Sequence, residues 1–323
     1  MRHSESVQFG NSGIFASRLG LGTAPLGGMY LSVSDEDAVD LIVTARNSGI
    51  EYFDTAPFYG NGVAERRLRL GLKAGVTPPR VVSTKVGRIL VAGVEKLPGI
   101  YVDEAPEQPV FDFSEKGIRS SFEESLKRLG LDRVEVLLIH DADNHEEQAL
   151  NEAYPVLEQI REEGLAGVIG IAMDYPRIPT RFVRETDIDV VLIAGRFTLL
   201  DQSAQMELLP AALKKGVSVI TAGVFNSGIL ANPVAGTTFE YEPASSEMIA
   251  KAQAIAAVIK DFNVPMTAVA LQFPLRHPAV TAVLTGARHK KELLANIADF
   301  DLTVPEECWT ALEEAGLVEP LNL

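Results

Sequence analysis

Apolar and polar positions along this chain follow two alternating periods. Short runs rich in Val, Ile and Leu begin at Leu19, Tyr52, Val81, Val134, Ala166, Val190, Val217 and Val280. Nearly continuous apolar runs of this length mark strands buried on both faces. Between them lie stretches of helical spacing. Ala38, Leu41, Ile42 and Ala45 follow Ser34, and Ile118, Phe122, Leu126 and Leu129 follow Ser114. Each serine is placed to cap its helix, and Asp35, Glu36 and Asp37 load the first turn of the earlier one. Further helices are expected near residues 63–72, 146–163, 179–185, 206–215, 246–262, 267–275, 290–298 and 305–315.

Eight strand–helix alternations predict one closed (β/α)8 barrel domain over residues 1–323. An open doubly wound sheet is the alternative, but no G-x-G-x-x-G follows the first strand and opens a helix. Two segments break the rhythm. Val7-Gln8-Phe9 and Ile14-Phe15-Ala16 flank Gly10-Asn11-Ser12-Gly13, which predicts a small N-terminal hairpin. Residues 87–114 form a long insertion with several prolines and carboxylates, and also Ile100, Tyr101, Phe111 and Phe113. Its apolar content predicts a folded lid. The lid, the loop after Asn226 and the C-terminal tail are expected to form a substrate pocket.

Composition narrows the partners. The chain has 323 residues, 46% of them hydrophobic, with 29 Lys+Arg against 44 Asp+Glu, a formal net charge of -15. That sign disfavours nucleic acid and anionic membrane. Cys308 is the only cysteine, so no internal disulfide or cysteine-based zinc site can form, and no metal site is expected. No apolar segment follows a basic start, and no run approaches the roughly 18 apolar residues that span a bilayer. A cytoplasmic protein is the expectation. Oligomeric state has no signal.

Three of the strand-like runs end on an ionisable residue: Asp54, Lys85 and His140. In a parallel barrel these ends open on one face, where Tyr59 would join them from the following loop. A phenol titrates near pH 10 and needs help at neutral pH. A lysine ammonium stabilises its anion, a carboxylate holds the lysine, and a histidine can hydrogen-bond a carbonyl oxygen. Such a set moves a proton on or off an oxygen. Other readings remain open: Asp54-Thr55 as a helix cap, Tyr59 as a packed aromatic, Lys85 as a Schiff-base lysine and His140 as a structural histidine.

With these residues the chain resembles the aldo-keto reductase superfamily from end to end. The resemblance is carried by Arg18-Leu19-Gly20-Leu21-Gly22-Thr23, Phe53-Asp54-Thr55-Ala56-x-x-Tyr59-Gly60, Ser83-Thr84-Lys85-Val86-Gly87 and Leu137-Leu138-Ile139-His140. It implies that Tyr59 is the general acid/base, that Lys85 and Asp54 tune it, and that His140 positions the carbonyl. Residues 195–202 and 222–228, with His140-Asp141-Ala142-Asp143, look like the aldose 1-dehydrogenase branch, to which a pyridoxal 4-dehydrogenase is related. The implied reaction oxidises a sugar or pyridoxal-like hemiacetal to a lactone with a nicotinamide cofactor. A general carbonyl reductase is the alternative within the family, and a Schiff-base aldolase and a non-catalytic nucleotide-binding barrel are the rival functions of other classes. Two positions depart from the broad family: Ala172-Met173-Asp174 replaces a Ser-Asn pair, and Ala194 stands where a glutamine is common.

The resemblance also implies cofactor contacts from Thr23, Asp54, Phe225, Asn226, Ser227, Gly228, Gly286, Ala287, Arg288, Glu292 and Asn296. Aligning Asn296 with the family's asparagine puts Glu292 where an arginine usually stands. A carboxylate there repels a 2′-phosphate, so NAD is expected over NADP. Arg288, His289, Lys290 and Lys291 are the opposing signal.

Overall fold

The eight apolar runs are eight parallel strands, and they close on themselves. In the computed structural model, which describes residues 1–74, 79–96 and 99–323, they are β1 (Leu19–Gly22), β2 (Tyr52–Asp54), β3 (Val81–Val86), β4 (Val134–His140), β5 (Ala166–Met173), β6 (Val190–Ala194), β7 (Ser218–Ala222) and β8 (Val280–Gly286). Each pairs with its chain neighbours, and Val283 pairing with Leu19 joins β8 to β1. The outer helices are α1 (Asp35–Asn47), α2 (Val63–Ala74), α3 (Glu115–Leu129), α4 (Tyr154–Glu162), α5 (Arg177–Glu185), α6 (Leu208–Lys215), α7 (Ser246–Lys260), α8 (Met266–Gln272), α9 (Lys290–Phe300) and α10 (Glu306–Glu314). Ser34 and Ser114 cap α1 and α3 as expected, accepting from the N–H groups of Asp37 and Gly117.

Side-chain alternation divides the core in two. Phe53, Leu137, Ile139, Ile169 and Ile171 point outward into the layer under the helices. Tyr52, Val136, Leu138, Val168, Leu192 and Leu284 point inward and fill the barrel. The N-terminal hairpin (Ser6–Phe9 with Ile14–Ser17) plugs the end from which the strands start, with Phe9 packing edge-on against Tyr52 at 5.2 Å. The inward rows continue to the other end. Asp54 shares the parity of Tyr52, Lys85 that of Val81, and His140 that of Val136 and Leu138. The barrel's own packing therefore aims these three side chains into its mouth.

The lid folds as a hairpin of Arg88–Val91 with Gln108–Phe111; residues 97 and 98 within it lie outside the described residues. It is tied to the loop after β1 by backbone bonds from Tyr30 to Ile100 and from Val102 to Gly28. A second small hairpin, Thr238–Phe239 with Glu242–Pro243, had no sequence signal strong enough to predict it. The helix expected over 146–163 is interrupted by a π-turn at Ala149–Ala153 just before Pro155. Proline lacks the N–H that would continue the regular ladder there. Pro274 similarly ends α8 in a tighter 3-10 turn, Phe273–Arg276.

Candidate active site

Three of the four predicted residues form one hydrogen-bonded unit. Lys85 Nζ donates to Asp54 Oδ2 at 2.7 Å, to the Thr55 carbonyl at 2.9 Å and to the Tyr59 hydroxyl oxygen at 3.0 Å. An ammonium has three protons, and all three are used. Lys85 is 1% exposed and Asp54 3%. Ser83 donates to the other Asp54 oxygen at 2.6 Å, so the carboxylate is held from both sides and does not cap a helix. Because Tyr59 accepts from Lys85, its own hydroxyl proton is free to point into the mouth.

The loop that carries Tyr59 is fixed by backbone contact. Gly60 sits at φ 62°, and a Cβ there would lie 2.4 Å from the Gly27 carbonyl oxygen. Two glycines therefore let the loops after β1 and β2 press together behind the phenol. The His140 ring stands edge-on to Tyr59, with centroids 6.0 Å apart. Burial first, then the charges of Lys85 and Arg88, push His140 well below its usual value, so it is neutral at pH 7. Burial, with the Asp54 carboxylate next, pushes the Tyr59 phenol well up. Burial thus opposes the phenolate that the neighbouring ammonium favours, and in the protein alone the resting group is a neutral phenol.

Above this unit lies a collar built from loops. Tyr30 follows β1, Tyr101 comes from the lid, and Tyr241 comes from the hairpin after β7. All three phenols are pushed up, chiefly by burial. Asp141 directly follows His140 at φ 48°. Arg88 donates to it at 2.6 Å and lies over the rings of Phe58 and Phe111 at 4.0 and 4.5 Å. Beyond β5 and β6, a cavity of about 130 Å³ is lined by Asp174, Tyr175, Arg196, Asn226, Ser227 and Glu240 among others. Arg196 is buried there between Asp201, Glu240 and the Tyr175 ring. Sequence reasoning did not single out Arg88, Tyr30 or Tyr241, and reached Tyr101 and Arg196 only as members of the lid and of residues 195–202. The only available signal was that Arg88 comes three residues after Lys85 at the same strand end.

The C-terminal tail, expected at the pocket, does not line the cavity around Arg196. After α10 it bonds to Gln202 and Gln205 of the loop after β6 and to His277.

The residues expected to hold a nicotinamide cofactor gather at neighbouring strand ends. Gly286 pairs with Gly22 and Gly22 with Asp54, so β8, β1 and β2 finish side by side. Thr23 is fully buried, and its N–H donates to the Asp54 carbonyl at 2.8 Å. Thr23 Oγ1, Thr55 Oγ1 and Asn226 Oδ1 are buried without a partner. Buried polar atoms are costly to leave unpaired, about 1–3 kcal/mol each, which suits a polar ligand in this crevice. Gly223, Asn226, Ser227 and Gly228 all have positive φ, and Phe225 lies among them. Turns of this kind present N–H groups to anions. Asn296 donates to Thr285 Oγ1 at 3.1 Å, while Ala287 is buried beside Gly286. Glu292 accepts from the Arg288 N–H at 2.8 Å and from its guanidinium at 3.1 Å. The residues present fit a dinucleotide. Among the described residues no cluster of three or more His, Cys, Asp or Glu could hold a metal, and no helix is long and apolar enough to cross a membrane.

Comparison with known proteins agrees with this geometry. The family model described as the aldo/keto reductase family matches residues 18–316. D-threo-aldose 1-dehydrogenase from a Pseudomonas species is 39% identical, covering 95% of this chain and 96% of its own. Pyridoxal 4-dehydrogenase from Microbacterium luteolum is 38% identical, covering 98% and 99%. L-galactose dehydrogenase from Arabidopsis thaliana is 32% identical, covering 100% and 97%. Among solved structures, an aldo-keto reductase from Bacillus halodurans shares the fold with a TM-score of 0.80 at 23% identity, covering 96% of this chain and 95% of that one. The chain belongs to the aldo/keto reductase family and is an oxidoreductase.

Proposed function

We propose that this protein oxidises the anomeric carbon of a cyclic aldose, giving the lactone, with NAD as the hydride acceptor. The carrying observation is the Lys85–Tyr59 contact at 3.0 Å, with Tyr59 facing His140 under a collar of phenols and carboxylates. A cyclic aldose is a hemiacetal whose reacting carbon already bears two oxygens, so loss of hydride and of one hydroxyl proton yields a lactone directly. The nicotinamide, when bound, supplies the acceptor for that hydride. The chain's own residues manage the proton. Tyr59 takes it from the anomeric hydroxyl, and Lys85 stabilises the phenolate that the base form requires. Neutral His140 donates a hydrogen bond to the substrate oxygen and fixes its position. In reduction the same phenol acts as the acid.

A ring of hydroxyl-bearing aromatics and acids suits a polyol, with apolar sugar faces against rings and hydroxyls against carboxylates. The relatives that act on D-threo-aldose and L-galactose by name support this class. A pyridoxal substrate is the second reading. It is favoured by the relative of nearly equal identity that bears that name, and pyridoxal also closes to an internal hemiacetal. A Schiff-base role for Lys85 is disfavoured because its three protons are already bound.

For the cofactor, Glu292 pairs with the guanidinium of Arg288, and a carboxylate in the adenosine pocket would repel a 2′-phosphate. Thr23, Asp54, Asn226, Ser227, Gly228, Gly286 and Asn296 would line the remainder. The test is a spectrophotometric screen of D- and L-aldoses and pyridoxal with both cofactors. The reading predicts NADH formation with at least one aldose and a higher kcat/KM with NAD than with NADP. Turnover of pyridoxal alone would replace the aldose reading.

A further inference from the structure

Arg88 and Asp141 form an ion pair at the mouth, beside His140 and apart from the Asp54–Lys85–Tyr59 unit. Asp141 is the next residue after His140, and its left-handed φ of 48° is uncommon for a residue with a side chain. Its backbone is fixed by donating to the Ala172 carbonyl at 3.1 Å. The turn brings Asp141 Oδ2 within 3.5 Å of His140 Nε2. The same oxygen accepts from Arg88 Nη2 at 2.6 Å. No hydrogen bond among the described residues reaches the other carboxylate oxygen, and the side chain keeps 24% of its surface open. Arg88 is held flat by Phe58 and Phe111, and its Nε is buried without a partner. A half-used carboxylate and a rigid guanidinium with a spare donor therefore stand beside the ring that would hold the reacting oxygen.

We propose that the Arg88–Asp141 pair is a specificity element that binds the hydroxyl on the carbon next to the reacting carbon, so that the enzyme selects 2-hydroxy aldoses over 2-deoxy sugars. The inference rests on the aldose reading above and sharpens its substrate class. His140 Nε2 lies 3.5 Å from Asp141 Oδ2, the oxygen that Arg88 holds, so the free oxygen of the same carboxylate is offered beside the histidine to a second oxygen on the adjacent carbon. The carboxylate accepts the hydroxyl proton, and the guanidinium can donate to the same oxygen. Burial, helped by Asp174 and Asp143 and opposed by Arg88, pushes the Asp141 carboxyl up to about 6. It is therefore ionised at the alkaline pH where oxidation would be assayed. A purely structural pair, tying the lid to the end of β4, would affect every substrate alike. A recognition pair discriminates between substrates that differ by one oxygen.

The experiment compares kcat/KM, at pH 9 with NAD, for galactose, glucose and ribose in both enantiomers and for their 2-deoxy counterparts. It is run on the wild-type enzyme and on Asp141→Asn, which keeps the side chain's size, and Arg88→Lys, which keeps the charge. The wild type should prefer the 2-hydroxy sugar. In Asp141→Asn the ratio of 2-hydroxy to 2-deoxy kcat/KM should fall roughly 10- to 100-fold, the range for losing a hydrogen bond to a charged group. Arg88→Lys should lower it by a smaller factor. If both sugars lose activity in parallel in either variant, the pair is a lid anchor and the proposal is overturned. An unchanged ratio in both variants overturns it as well, while the aldose reading stands. A wild-type enzyme that oxidises none of these sugars removes the aldose reading and this inference with it. Should Asp141→Asn fail to fold, Arg88→Lys carries the decision.

Discussion

The tetrad and the collar above it share one mouth but are built differently. Asp54, Lys85 and His140 sit on strands, at inward positions that the barrel's alternation dictates, and every proton of Lys85 is engaged. Tyr30, Tyr101, Tyr241 and Asp141 come from loops and Arg88 from the lid hairpin; Tyr30 and Tyr241 are exposed, and Arg88 Nε is buried without a partner. The lower layer is preorganised before any ligand arrives, as proton transfer requires. The upper layer is left partly unsatisfied, which on the proposed reading lets a substrate complete it. On the proposed reading, the strands anchor Asp54, Lys85 and His140 around the loop residue Tyr59, and the remaining loops supply selectivity, which is how one barrel serves many reactions.

The sharpest way to break this division is to remove a charge from the lower layer. Lys85→Met leaves Asp54 buried with no cation, since Ser83 alone remains beside it. It should destabilise the fold by roughly 3–5 kcal/mol, the usual cost of breaking a buried pair, and abolish measurable turnover. Adding Asp54→Asn should recover part of that stability, because the two residues act as a unit. Denaturant unfolding of Lys85→Met, Asp54→Asn and the double variant measures both effects. Full additivity would mean that the pair is not coupled.

The upper layer should respond otherwise. Replacing the segment between Val91 and Gln108 with a short turn removes Tyr101 but keeps the lid's two strands. KM for the best sugar should rise roughly tenfold, on the order of one or two lost hydrogen bonds, with the barrel still folded. A shortened enzyme with an unchanged substrate profile would place selectivity elsewhere. A smaller effect is expected at Glu292. Glu292→Gln frees the Arg288 guanidinium, so the kcat/KM ratio should shift severalfold toward NADP. No shift would put Glu292 outside the adenosine pocket.

The same division governs what could be read from the chain. Asp54, Lys85 and His140 were legible because each ends an apolar run, and strand parity then leaves little freedom in where they point. Tyr59 followed from its spacing to Asp54. Eight apolar runs gave the barrel, and Asn-Gly punctuation gave the plug hairpin. The collar was not legible, because loop side chains meet through tertiary closure and carry no period. Tyr30, Tyr101 and Tyr241 are far apart in sequence and adjacent only once the lid is pinned to the loop after β1. The direction in which the fold shifts Tyr59 was not legible either. Sequence supplied the lysine beside it, whereas only the fold supplied the burial that pushes the phenol further up.

The most direct test of the account is Tyr59→Phe, which deletes one oxygen and leaves Lys85 its bonds to Asp54 and Thr55. The measurement is kcat for aldose oxidation from pH 7 to pH 10, together with cofactor affinity by fluorescence titration. In the wild type, oxidation should rise across that range, because a phenol pushed up by burial becomes a more populated base as pH increases. The variant should turn over roughly 10²-fold or more slowly, lose that rise, and bind cofactor about as well as before. Near-normal turnover in Tyr59→Phe, or a wild-type rate that falls steadily from pH 7 to pH 10 in a stable enzyme, would contradict the assignment of the proton to Tyr59.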